Sequence, residues 1–289
     1  MTGGTFQTHF ADRMDLLQVD RDIFTGHCHS GSPLRAYGGQ IAAQSLMAAG
    51  RTVDDELRRV HSLHGYFLRP GHTKESITYL VDRPRDGGSF STRFVRAVQN
   101  GETIFMMTAS FALDDEGPRH QFAAPDNVQP PEVTNVPIPL PEHLNGATLS
   151  ELDYPDSHII GLRMLDAEHA IPLVDGRYER AAWVRIEEPL PDDPIIQACA
   201  LTYLSDLTMV STALAPHSGA SSRPDLMLAS IDHAMWFHAA TRADHWLLFA
   251  QDTPVANNGH GIARGLFFDE QGLLVASVVQ ESLMRTRRA

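Results

Sequence analysis

The stretch Ser230-Ile-Asp-His-Ala-Met-Trp-Phe-His238 has a counterpart 169 residues earlier, His61-Ser-Leu-His-Gly-Tyr-Phe-Leu-Arg69. Aligned without a gap, the two set His64 against His233, Phe67 against Trp236 and Leu68 against Phe237. Beyond them Ile77–Val81 falls against the apolar run Trp246–Ala250. Gly101 and Gly272 each precede a strand-like apolar run, Thr103–Leu113 and Leu274–Met284, at an offset of 171. Self-similarity over so much of the chain implies two units of one fold.

Outward from this pair, the order of elements repeats. After about 36 residues that read as one early strand and an exposed loop, Ile41, Ala42, Ser45, Leu46 and Ala49 form one helical stripe. This predicts a helix over 39–49, with Gly50 as its stop. Strands are predicted at 60–69, 76–83, 89–99 and 103–113, separated by Pro70-Gly71, Asp86-Gly87-Gly88 and the hairpin pair Asn100-Gly101. The second half opens with a strand at Arg177–Glu187. A helix follows from Pro194 to Leu214, with Pro216 just beyond it. Its apolar residues occupy nearly every face, as in a helix enclosed by a sheet. Strands at 226–238, 245–252, 260–268 and 272–284 complete the repeat. The fold class is α+β, each unit a helix wrapped by an antiparallel meander. Between the units, nine of the 18 prolines lie between Pro118 and Pro172. Proline cannot donate to a ladder, so this stretch is predicted to be an extended crossover. The expected division is a first domain at 1–115, a linker at 116–175 and a second domain at 176–289.

Composition narrows the chemistry. With 23 basic and 36 acidic residues the net charge is −13, which opposes binding to a nucleic-acid backbone or an anionic membrane. No apolar run approaches a membrane span, so no membrane insertion is expected. Cys28 and Cys199 offer neither a disulfide framework nor C-x-x-C spacing, which fits a reducing, cytoplasmic setting. The triplet His27-Cys28-His29 lacks a third ligand nearby, so no metal is expected. Gly259-x-Gly261-x-x-x-Gly265 has the wrong spacing for a dinucleotide fingerprint and opens a strand. No G-x-S-x-G elbow, P-loop or H-E-x-x-H helix is present, and no cofactor is expected. Arg285, Arg287 and Arg288 read as a solvated end.

Three polar residues stand in apolar surroundings. Asp206 lies inside the second helix, where an unpartnered carboxylate costs several kcal/mol, roughly, to bury. Held there it would have a raised pKa and could take a proton from water. Gln280 interrupts the apolar strand Leu274–Val279, where its amide needs partners and cannot act as a base. Simple strand alternation puts Ser230 and Asp232 on one face, and Ile231 and His233 on the other.

Taken together, Gly38-Gly-Gln-Ile-Ala-Ala-Gln44, His61–Gly71, Arg85-Asp-Gly-Gly-Ser-Phe-Ser91, Gln99-Asn-Gly101, Ser205-Asp206, Ile231–His238 and Val279-Gln-Glu281 closely resemble the type II, TesB-like acyl-CoA thioesterases. The resemblance covers Tyr37–Phe111 and Ala200–Arg285. It implies a double hot-dog fold and a site in which aspartate, threonine or serine, and glutamine hold a water. Asp206, Ser230 and Gln280 match those positions; serine keeps the hydroxyl but lacks the methyl that restrains threonine's rotamer. The implied reaction is hydrolysis of a fatty acyl-CoA to fatty acid and CoA. The N–H groups of Gly38 and Gly39 are oxyanion or substrate candidates. In the first half His61 stands opposite Ser230 and Ala109 opposite Gln280, so one site per chain is expected. The resemblance also implies a homo-oligomer. Among hot-dog proteins, an enoyl-CoA hydratase would need a histidine five positions after the aspartate, where this chain has Ser211. A non-catalytic acyl-CoA binding or regulatory protein would have no evident need to bury Asp206.

Overall fold

A computed structural model describes residues 9–28, 35–125, 159–165, 179–217 and 225–286. The first half contains α1 (Phe10–Met14), β1 (Leu17–Asp20), β2 (Ile23–His27), α2 (Gly38–Gly50), β3 (Arg59–Phe67), β4 (Ser76–Asp86), β5 (Phe90–Gln99) and β6 (Glu102–Ala112). The second contains β7 (Ile160–Met164), β8 (Glu179–Ile186), α3 (Pro194–Ser205), α4 (Met209–Leu214) and β9 (Leu226–Ser230). It ends with β10 (Asp232–Phe237), β11 (Leu247–Asn257), β12 (His260–Phe268) and β13 (Leu274–Thr286). Asn100-Gly101 and Asn258-Gly259 take positive φ at both positions, as a two-residue type I′ hairpin turn demands, and they fix the β5–β6 and β11–β12 registers.

The strands form one sheet in the order β1-β2-β4-β5-β6-β3-β10-β13-β12-β11-β8-β7, with β9 also paired to β13. The second half of that path mirrors the first. At the junction β3 and β10 pair antiparallel, with His64 opposite Ala234 and Gly65 opposite His233. The 169-residue offset carries His64 onto His233 and Ala234 back onto Gly65, so this register is its own image under the repeat.

Helices α2 and α3 lie side by side inside the curved sheet, antiparallel: Gly39 abuts the Tyr203 carbonyl at one end and Gly50 abuts Ile195 at the other. Every α2 residue from Gly39 to Ala49 is buried, and only small side chains permit so close an approach. One hydrophobic core spans both halves and includes Leu46, Tyr79, Phe105, Tyr203, Phe249 and Phe267. Phe10 of α1 closes one end, its ring edge-on to Tyr203 at 5.5 Å.

The structure departs from the sequence expectations at four places. The early strand is a two-stranded hairpin preceded by α1. A strand, β7, lies within the expected linker and pairs with β8; residues 126–158 and 166–175 of that linker lie outside the described residues, as do His29, Arg287 and Arg288. The predicted helix Pro194–Leu214 is two helices. Thr202 Oγ donates to the Ala198 carbonyl, a local bond of the kind that bends a helix, and Thr208 then leaves helical geometry. The predicted strand 226–238 is likewise broken at Ile231. From Ser230 to Ala234 the chain advances four residues while its β13 partners run only from Ser282 to Val279, which is a β-bulge. The Asp232 carboxylate fills the gap by accepting from the Glu281 N–H at 2.7 Å.

A Cβ on Gly39 would lie 2.6 Å from the Tyr203 carbonyl oxygen, a backbone atom that cannot step aside alone. Gly39→Ala should therefore separate α2 from α3 and lose about 1–3 kcal/mol of stability, read as a lower urea midpoint. An unchanged midpoint would show that the helix pair is looser than this packing implies.

Candidate active site

The two irregularities in the second half converge. Where α3 ends, Asp206 takes the C-cap position (φ −86, ψ −10). A carboxylate at a helix C-terminus meets the negative end of that helix's dipole. Antiparallel packing supplies the remedy, because the same point faces the positive N-terminus of α2, and the Gly39 N–H donates to the Asp206 carboxylate. Gly38 lies equally close: a Cβ there would sit 2.8 Å from Asp206 Oδ2 and 3.1 Å from the Phe67 ring.

From the sheet side, the bulge turns Ser230 toward the helices, and Ser230 Oγ donates to Asp206 Oδ1 at 3.2 Å. Gln280 of β13 is fully buried, and its Nε2 donates to Ser230 Oγ at 2.9 Å. The other end of that amide, Oε1, lies 2.7 Å from Nδ1 of His233, whose Nε2 lies 2.8 Å from Ser205 Oγ. His233 is 1% exposed.

Asp206, Ser230 and Gln280 are thus brought into one hydrogen-bonded chain, and Gly38 and Gly39 border the same carboxylate. Simple alternation had placed His233 on the face opposite Ser230. The bulge adds one residue between them, so both reach Gln280. No local pattern marks that extra residue; the only hint was that His233 aligns with His64 in the repeat. Ser205, next to Asp206 in sequence, reads as one more helix residue until its contact with His233 is seen.

Burial raises the Asp206 pKa above the ordinary carboxylate value, and hydrogen bonding from Ser230, the Gly39 N–H and Gln280 works against that rise. The residue as a whole keeps some solvent contact, though its carboxyl group is buried. Five residues on, Ser211 is exposed and accepts from Arg180 Nη1 at 3.0 Å. Among the described residues no group of three or more His, Cys, Asp or Glu side chains is placed to hold a metal ion, and no helix is long and apolar enough to cross a membrane.

The raised pKa makes a stability claim with a definite sign. The folded protein binds this proton more tightly than the unfolded chain, so ionising Asp206 costs stability. That cost is absent below the unfolded-state pKa, grows as pH rises between the two values and is complete above the folded-state pKa. Asparagine carries no such cost. Asp206→Asn should match or exceed the wild-type thermal midpoint at neutral pH, with the difference shrinking as pH falls toward about 4; a lower midpoint at pH 7 would contradict the burial. Gly38→Ala tests the glycine. It lies in the first helical turn, where alanine is tolerated, but its methyl displaces Oδ2, so activity should drop tenfold or more, roughly, with little change in stability.

The chain as a whole is similar to known thioesterases. Residues 29–112 match the family model described as acyl-CoA thioesterase N-terminal domain, and residues 172–283 match the model described as acyl-CoA thioesterase. Acyl-coenzyme A thioesterase 8 of Rattus norvegicus is 34% identical, covering 95% of this chain and 88% of that protein. Acyl-CoA thioesterase 2 of Haemophilus influenzae is 33% identical, covering 94% and 95%. The crystal structure of the acyl-CoA thioesterase II TesB2 from Mycobacterium marinum superposes with a TM-score of 0.81 at 40% identity, covering 97% of this chain and 98% of that one. With its two hot-dog units and this breadth of likeness, the chain belongs to the type II, TesB-like acyl-CoA thioesterases, a family of thioester hydrolases.

Proposed function

We propose that this chain hydrolyses fatty acyl-CoA to a fatty acid and CoA, with Asp206 as general base on a water held by Ser230 and Gln280. The observation that carries the reading is a buried carboxylate of raised pKa, hydrogen-bonded to a serine that a buried glutamine in turn holds.

Hydrogen-bond arithmetic favours a water over a serine nucleophile. Ser230 directs its one hydrogen to Asp206 Oδ1 and receives one from Gln280, and no imidazole among the described residues hydrogen-bonds its Oγ. A water can donate one hydrogen to Asp206 Oδ2 and the other to the free lone pair of Ser230, while accepting the second Nε2 hydrogen of Gln280. Its remaining lone pair attacks the thioester carbonyl as Asp206 takes the proton. Gly39 is committed to the base, so the reading gives the oxyanion to Gly38 and the start of α2. Collapse breaks the C–S bond, and Asp206 returns its proton to the departing CoA thiolate. Hydration would need a second acid–base group near Asp206; Ser211 is exposed and engaged with Arg180.

A general base must be unprotonated to act. The kcat of thiol release from acyl-CoA should fall as pH drops through the Asp206 pKa, on a limb displaced upward from an ordinary aspartate. Asp206→Asn should lose roughly 10²- to 10⁴-fold in kcat at matched folded concentration. Wild-type turnover in Asp206→Asn would remove the mechanism, and acyl-CoA binding without any thiol release by the wild type would favour a binding protein.

A further inference from the structure

Behind the three polar groups lies a second pair, His233 and Ser205, to which no role has so far been assigned. The direction of every hydrogen bond in the chain follows from the charge at its end. Ionised Asp206 can only accept, so Ser230 donates to it. Having given its single hydrogen, Ser230 must accept from Gln280, which requires Nε2 of the amide to face it. Oε1 then faces His233, and because an amide oxygen only accepts, His233 carries its hydrogen on Nδ1. In the neutral ring Nε2 is then an acceptor and takes the Ser205 hydroxyl hydrogen. That hydroxyl also lies 2.8 Å from the Thr202 carbonyl, but it has one hydrogen to give.

Without this anchor only the hydrogen bond to Ser230 holds the Gln280 amide in its orientation. Flipped by 180°, it would present Oε1 to Ser230, a second acceptor that competes with Asp206 for the serine hydrogen and leaves no donor for the water. We propose that His233 is a positioning residue: its Nδ1–H fixes the Gln280 amide with Nε2 toward Ser230, and Ser205 fixes the His233 tautomer. The inference rests on the reading of Asp206, Ser230 and Gln280 as the water-activating groups. His233 touches no reacting atom, so its influence passes through Gln280.

A double-mutant cycle measured by thiol release from acyl-CoA tests the link, with folding of each variant verified by its thermal midpoint. His233→Leu should lower kcat by roughly 10- to 100-fold with KM within about threefold. His233→Asn, whose amide N–H occupies the Nδ1 position, should recover most of that loss. In a Gln280→Ala background His233→Leu should cost nothing further. Ser205→Ala, which leaves the ring in place, should give a smaller fall in kcat in the same direction. Full additivity with Gln280→Ala, an Asn variant no better than Leu, or a Leu variant with wild-type kcat would overturn the proposal. The parent reading fails separately: Gln280→Ala or Asp206→Asn alone would then keep wild-type kcat, whatever His233 does.

Discussion

The site turns on one electrostatic arrangement, a carboxylate at the C-terminus of one helix held by the N-terminus of another. At the end of α3 alone, Asp206 would face backbone carbonyls and the wrong end of a dipole, in surroundings that already oppose its charge. Its position is tenable because α2 runs antiparallel and directs the Gly39 N–H at it. The rest follows as geometry. The helices approach closely where glycines stand, Gly39 against the Tyr203 carbonyl and Gly50 against Ile195; they come from different halves, and the sheet that encloses them is continuous across β3 and β10.

A symmetric scaffold thus carries an asymmetric site. The sheet order and the central register repeat faithfully, but the halves contribute unlike parts: one a helix start with two glycines, the other a carboxylate, a hydroxyl and an amide. The bulge at Ile231 belongs to the second half. It turns an ordinary strand into one whose successive polar side chains, Ser230 and His233, meet the same glutamine.

What was legible in the sequence was what depends on local chemistry or on repetition. Asn100-Gly101 announces its turn because few other pairs accept positive φ twice. The 169-residue offset announces two units, and a carboxylate at Asp206 among apolar residues announces a need for hydrogen-bond partners. What was not legible depends on partners far away in the chain. The break at Asp206 follows from the Thr202 hydroxyl turning back on the helix, where a threonine can also point to solvent. The bulge requires counting residues on two strands at once, and strict alternation then misplaced His233. The pairing of β7 with β8 was hidden because proline-rich flanks mask a short strand that gains its stability only from its neighbour.

The self-matching register between β3 and β10 has a consequence for the growing polypeptide. Once the first half has emerged from the ribosome, β3 is an unpaired edge, and its partner β10 lies about 165 residues further along. At roughly 5–20 residues per second that edge stays open for on the order of ten seconds. A register that is its own image under the repeat is also one that two nascent first halves can form with each other. Neighbouring chains on one messenger can therefore pair β3 with β3 in the same register, and timely arrival of the second half decides whether β10 or another chain's β3 takes that edge.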